Sequence, residues 1–182
     1  MAKKKIIVNN ELFESYIDEK KIQARIRQLG KKISKDFEGK TPIFIGILNG
    51  AYIFFADLIR RITIECEVDF MKLSSYGDSK ITSGNVHLLK DLNSQVKNRH
   101  IIVVEDIVDT GLSIDFIKRI LNAHQPASVS VVSLLVKPKS LKIPTEVDYI
   151  GFNIPSEFVL GYGLDYAQKG RNIPSIYKIA KQ

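Results

Sequence analysis

The stretch Ile101–Phe116, IIVVEDIVDTGLSIDF, constrains the fold more than any other part of the chain. Its four opening residues are all apolar and β-branched, the pattern of a strand buried on both faces of a parallel sheet. Two carboxylates, Glu105 and Asp106, follow directly, and then Asp109, Thr110 and Gly111. Beyond them Leu112, Phe116, Ile117, Ile120 and Leu121 recur at helical spacing, so the order is strand, loop, helix. Gly111 allows a tight turn. The amides from Asp109 to Ser113 then converge on one concavity at the positive end of a helix, with hydroxyls from Thr110 and Ser113 beside them. This is a setting for a phosphate.

Familiar phosphate loops do not match. The Lys-Ser/Thr pair of nucleoside triphosphate loops is missing, and one glycine is too few for a dinucleotide fingerprint. Carboxylates beside a phosphate suit a sugar phosphate: they accept from ribose hydroxyls, and a divalent cation would relieve their repulsion with the phosphate. Two other readings remain on the residues alone. The acids could simply end a strand and cap a helix. Alternatively, an aspartyl nucleophile could transfer phosphoryl groups, although Asp106 and Asp109 are separated by two residues where that chemistry's common signature has one.

Composition narrows the class. With 182 residues, 45% hydrophobic and 26% charged, the chain suits one ordinary domain with a real core. Three lysines and three apolar residues near the start fall short of a signal peptide, and no apolar run could span a bilayer. A soluble cytoplasmic protein without membrane contact is expected. A single cysteine, Cys66, excludes an internal disulfide and reads as a small residue buried in a strand. The three histidines lack the spacing of a zinc site. A net charge of +7 suits a nucleic-acid binder, a polyanionic small substrate or no particular partner, and the basic residues are dispersed and read mostly as solvated faces.

In chain order, Asn10 is expected to cap a helix running through Leu12, Ile17, Ile22, Ile26, Leu29 and Ile33, with Glu11 and Glu14 in its first turn. Ile43–Leu48 reads as a second buried strand, followed through Asn49 and Gly50 by a helix from Tyr52 to Ile59. That joint is another place where amides could hold an anion. Glu67–Ser75 is a strand, 76–85 a polar loop, and Val86–Leu92 extended again. Ser128–Val136 is a long strand ending at Lys137, where the side chain could face solvent or a ligand. Short apolar segments at 147–152 and 158–160 suggest a small lobe.

The central stretch resembles the phosphoribosyl-pyrophosphate (PRPP) motif of the type I phosphoribosyltransferases. From about residue 43 to 171, the further segments SLLVKP, DYIGFNIP and FVLGYGLDY resemble, in order, the hypoxanthine-guanine branch of that family. The resemblance implies an α/β fold: a mainly parallel twisted sheet flanked by helices, with a small hood over the base site. One domain would span 1–182, its core about 40–150 and its hood formed by the N-terminal segment and about 151–182. The implied activity is transfer of the 5-phosphoribosyl group from PRPP to N9 of a 6-oxopurine, with Mg2+. Glu105, Asp106, Asp109, Thr110, Gly111, Leu112 and Ser113 would bind the ribose phosphate, with Asp109 the catalytic base. Asn49 and Gly50 would hold pyrophosphate, in a loop that often contains a non-proline cis peptide and whose usual lysine is Asn49 here, and Arg171 would reach it from the C-terminal segment. Lys137, Phe158, Val159 and Asp165 would read the purine, Phe158 by stacking. Ser75, Tyr76 and Gly77 match a closing flexible loop. Glu105, Asp106 and Asp165 would surround the metal. A homo-oligomer, dimer or tetramer, acting on small molecules and not on nucleic acid, completes the expectation.

Overall fold

The computed structural model describes residues 4–75, 86–90, 92 and 94–180. Its first departure from the sequence reading lies at the start. Lys5–Val8 (β1) and Glu11–Ile17 (β2) form an antiparallel hairpin, and the helix α1 begins only at Glu19. Asn9 and Asn10, with φ of 50° and 63°, make the two-residue turn and do not cap a helix. The helical pattern places Leu12 inward with Ile17, but the strand's alternation buries Phe13 with Ile17 and leaves Leu12 exposed. The real cap is Asp18, which accepts from the Lys21 amide at 2.9 Å.

The main sheet has six strands in the order β5-β4-β3-β6-β7-β8, comprising Ile43–Leu48 (β3), Glu67–Ser75 (β4), Val86–Lys90 (β5), His100–Val108 (β6), Ser128–Val136 (β7) and Tyr149–Asn153 (β8). All neighbours are parallel except β5, which returns antiparallel along the edge. Strand alternation sorts the core into two layers. Phe44, Ile102, Val104, Val132 and Leu134 pack with α1 (Glu19–Asp36) and α2 (Tyr52–Ile59) on one face. Ile43, Ile45, Ile101, Val103 and Val131 pack with α3 (Leu112–Ala123) on the other. Helices thus cover both faces, as the β-branched runs require. Cys66 lies just before β4, partly exposed, and not inside a strand.

A second antiparallel sheet, in the order β1-β2-β10-β9, joins the N-terminal hairpin to Val159–Leu160 (β9) and Ile176–Ile179 (β10). Phe13, Leu160 and Tyr177 form its own small core. Helix α1 belongs with the main sheet, since the Arg25 guanidinium donates to the carbonyls of Ile150 and Gly151 on β8 at 2.7 and 2.9 Å. Among the described residues, no helix is long and apolar enough to cross a membrane.

Candidate active site

Strand β6 runs four residues further than its apolar start suggests, so Glu105 and Asp106 are strand residues, with Glu105 opposite Ser133 on β7 and Ile107 opposite Leu135. Alternation therefore sends the two carboxylates to opposite faces. Glu105 follows Val103 toward α3 and lines a cavity of about 430 Å³ with Asp109, Thr110, Gly111 and Ser113. Asp106 follows Val104 toward the β3–α2 loop, where a Cβ added to Gly50 would lie 1.7 Å from its Oδ2. Only glycine fits at position 50.

Asp106 is buried and Glu105 half-buried, with its Oε2 enclosed, and loss of water raises both pKa values. Glu105 is pushed well above the ordinary carboxylate range, by burial and then by the neighbouring Asp106. Asp106 is raised to about 6 by burial; the Ile107 and Asp106 amides and the Arg171 charge oppose this, and Asp165 adds to it. Glu105 Oε2 has no hydrogen-bond partner among the described residues although it is buried. A buried acceptor without a donor is costly and calls for a hydroxyl or a cation.

The loop after β6 ends in Gly111, whose φ of +83° makes it the left-handed cap of α3, a cap without a side chain of its own. The first amides of α3 have no carbonyl of their own helix to bond. Gly111, Ser113 and Ile114 at this helix start line the cavity, and the Leu112 amide donates to the Thr110 hydroxyl at 3.5 Å. Lys137, just past β7, donates to Asp109 Oδ2 at 2.7 Å, so the two residues expected to handle the purine already form an ion pair. A larger cavity of about 580 Å³, lined by Leu92, Val96, Ala123 and His124, lies at the C-terminal end of α3. That end of a helix disfavours anions, so size does not choose the site.

On the other side, Leu48–Asn49 is a cis peptide and Gly50 leads into α2. Gly163 closes against the Gly50 carbonyl, within 2.2 Å of where a Cβ would stand. Arg171 donates to the Gly163 carbonyl at 2.8 Å and pairs with Asp165 at 2.7 Å. Asn49, Gly50, Asp106, Asp165 and Arg171 thus form one cluster, separate from the phosphate cavity. Phe158 packs in the small lobe against Tyr166 and Phe13, with ring centroids 5.2 and 6.3 Å away, and stays 40% exposed. Val159 is buried beside it in β9. Ser75 ends β4, while Tyr76 and Gly77 lie outside the described residues.

The expected metal trio is not gathered, because alternation along β6 separates Glu105 from Asp106. Among the described residues, no three His, Cys, Asp or Glu side chains form a metal site by themselves. Magnesium needs fewer protein ligands than that, since it keeps waters and binds through one or two carboxylates plus substrate phosphates. The unpartnered Glu105 oxygen and the Asp106–Asp165 pair fit such a role. Two cavity residues, Ser140 and Lys142, escaped the sequence reading. The basic run from Lys137 to Lys142, just beyond a strand's carboxyl end, was the available signal.

The Phosphoribosyl transferase domain model matches residues 14–167. A hypoxanthine-guanine phosphoribosyltransferase of Bacillus subtilis is 39% identical over 93% of this chain and 94% of its own. The crystal structure of a hypoxanthine-guanine phosphoribosyltransferase from Bacillus anthracis superposes with a TM-score of 0.86 at 40% identity, covering 91% of this chain and 98% of that one. Bifunctional TilS/HprT proteins, such as that of Listeria monocytogenes, are 41% identical over 93% of this chain, which spans 26% of their length.

Proposed function

This chain belongs to the phosphoribosyl transferase domain family, and from that premise we propose that it is a purine-salvage enzyme, a hypoxanthine (guanine) phosphoribosyltransferase. It transfers the 5-phosphoribosyl group from PRPP to N9 of a 6-oxopurine, giving the nucleotide and pyrophosphate. The observation that carries the reading is the juxtaposition of two unlike pieces: the Thr110, Gly111 and Ser113 turn, a cradle on the cavity, and Asp109 on the same cavity, ion-paired to Lys137.

The cradle fits the 5′-phosphate, and Glu105, with its unpartnered oxygen, fits a ribose hydroxyl. Lys137 can donate to the exocyclic oxygen at position six, which favours 6-oxopurines over adenine, whose six position is an amine. Once Lys137 turns to the base, Asp109 is released to accept the proton at the imidazole side. Phe158 and Val159 would contribute stacking area and backbone atoms to the ring, with Asp165 acting near the base from its pair with Arg171. As the N9–C1′ bond forms, the bond from C1′ to pyrophosphate breaks with oxocarbenium character, and the leaving group takes the electron pair. Arg171 and the Asn49–Gly50 backbone face that charge. Bound Mg2+, held by Glu105 or by Asp106 and Asp165, would neutralise phosphate charge. Closure over the centre by residues 75–77 would keep water from an activated sugar.

One domain covers 1–182 in this reading, working in the cytoplasm as a dimer or tetramer on small molecules alone. Sedimentation velocity reads the assembly directly. The activity test is incubation with PRPP, Mg2+ and hypoxanthine, guanine, xanthine or adenine separately, following nucleotide formation. Turnover with a 6-oxopurine is expected; steep salt-dependent RNA binding without any turnover would overturn the reading in favour of a nucleic-acid-binding regulator.

A further inference from the structure

The phosphate cavity has two walls. One is the loop from Thr110 to Ser113 with the start of α3; the other is the connection from β7 to β8, which brings Ser140 and Lys142 to the same cavity. The second wall is firmly seated. The Lys142 amide donates to the Thr110 carbonyl at 3.0 Å, the Ser140 amide to the Lys137 carbonyl at 3.0 Å, and Lys118 on α3 to the Glu146 carbonyl at 3.1 Å. Thr145 and Ile143 press on Gly111, so close that an added Cβ would lie 2.1 Å from Thr145 Oγ1 and 3.3 Å from the Ile143 side chain.

Charge singles out one residue on that wall. Glu105 and Asp109 are the acids lining the cavity, and Lys142 is the one basic residue among the ten that line it. The cradle itself, Thr110, Gly111, Leu112 and Ser113, carries no formal charge. Lys137 is held by Asp109 at 2.7 Å and is not among the lining residues. A phosphate monoester entering here would find amides and hydroxyls on one side and a carboxylate on the other. It would still lack a cation. The backbone bond from Lys142 to Thr110 fixes the lysine at the rim, and its long flexible stem lets the ammonium reach a phosphate held by the amides.

We propose that Lys142 is the cationic partner of the substrate's 5′-phosphate, supplied by the β7–β8 connection and not by the phosphate loop. This rests on the transferase reading above and adds to it a binding residue outside the motif. Ser140, whose hydroxyl lies 2.6 Å from that of Ser156, forms the neutral part of the same wall.

The test compares ligands that differ only by the phosphate. Lys142→Met keeps most of the stem and removes the charge, and Lys142→Arg restores it. Inhibition constants for GMP and guanosine, and KM values for PRPP and the base, are measured at low and high salt. For Lys142→Met we expect the GMP constant and the PRPP KM to rise about five- to tenfold, with guanosine and base constants within twofold. Lys142→Arg should recover most of the loss, and added salt should shrink it. Equal weakening of GMP and guanosine, or no weakening of either, would overturn the proposal and leave Lys142 an ordinary surface lysine. Wild-type protein indifferent to GMP and inactive with PRPP would instead overturn the transferase reading, and this proposal with it.

Discussion

Two loops leave the same edge of the sheet from adjacent parallel strands, and they are built in opposite ways. The β6–α3 loop opens onto the cavity of about 430 Å³, its left-handed cap is Gly111, and the Leu112 amide makes only a long bond, 3.5 Å, to the Thr110 hydroxyl. The β3–α2 loop is packed on both sides, by Asp106 beneath Gly50 and by Gly163 over its carbonyl. Its amides are partly used internally, with Ala51 N bonding the Ile47 carbonyl at 3.2 Å and Tyr52 N the Asn49 carbonyl at 3.3 Å. An open loop can hold a ligand with its own atoms. A packed loop offers a surface shaped by residues distant in sequence, so its tolerance to change depends on them.

Alanine at the two glycines should expose this difference most strongly. Gly50→Ala places a methyl group 1.7 Å from Asp106 Oδ2, and neither the strand residue nor the loop can yield without moving site atoms. We expect turnover to fall at least a hundredfold, the usual cost of an ångström-scale displacement. Gly111→Ala meets a left-handed φ of +83° and the Thr145 side chain, which can rotate. It should cost about 1–2 kcal/mol of stability and a smaller loss of turnover. Steady-state kinetics and thermal melts of both variants check the order, and a greater loss for Gly111→Ala would reverse the comparison.

The second prediction concerns the chemistry at the open loop. Asp109→Asn keeps the shape and removes the proton acceptor, so kcat should fall about a hundredfold while the PRPP dissociation constant moves little. Comparable loss of PRPP affinity would mean that Asp109 serves binding more than proton transfer.

The same contrast explains what the sequence made visible. The β6–α3 loop was legible because its strand, acids, turn glycine and helix follow one another within sixteen residues, each with a local physical signature. The two sheet layers were legible too, from β-branched runs that must be covered on both faces. The opposite orientation of Glu105 and Asp106 was hidden, because it depends on how far β6 keeps pairing with β7, and charged residues at a strand's end usually mark its stop. The N-terminal hairpin was hidden because Leu12 and Ile17 extend the helical pattern of Ile22, Ile26 and Leu29 backwards, whereas the strand's own alternation buries Phe13 with Ile17 and leaves Leu12 outside. The crowding of Gly50 by Asp106 and Gly163 joins positions more than fifty residues apart on either side, and no local pattern carries it.

A third prediction uses the acid beneath the packed loop. Burial raises the Asp106 pKa from 3.8 to about 6, so the folded state binds this proton more tightly than the unfolded chain does. Stability from this group is therefore fully present below about pH 3.8 and is lost as pH rises through about 6. In chelator, Asp106→Asn should be more stable than wild type at pH 7.5 by on the order of 2–3 kcal/mol, with the gap closing toward pH 4. Denaturant melts across this range decide it; a constant gap would mean that Asp106 does not change its proton binding on folding.

The smallest effect should come from the contact that holds the hood over the packed loop. Tyr162 is 3% exposed, and its hydroxyl donates to Asp57 on α2, which also accepts from Gln23 at 2.5 Å and pairs with Arg60. Burial would raise the Asp57 pKa, but hydrogen bonds from Tyr162, Gln23 and Arg60 hold it below its ordinary value. Tyr162 immediately precedes Gly163, which rests on the Gly50 carbonyl and accepts from Arg171. Tyr162→Phe keeps the ring and deletes the donor, at a cost of about 1–2 kcal/mol. Because the contact bears on the β3–α2 side alone, PRPP and pyrophosphate should bind about threefold more weakly, whereas GMP, which has no pyrophosphate, should bind as before. Asp57→Asn can still accept from Tyr162 and should fall between the variant and wild type. If the melting temperature drops while every binding constant holds, the contact serves the fold alone; if GMP weakens along with pyrophosphate, the two loops are coupled and are not separately built.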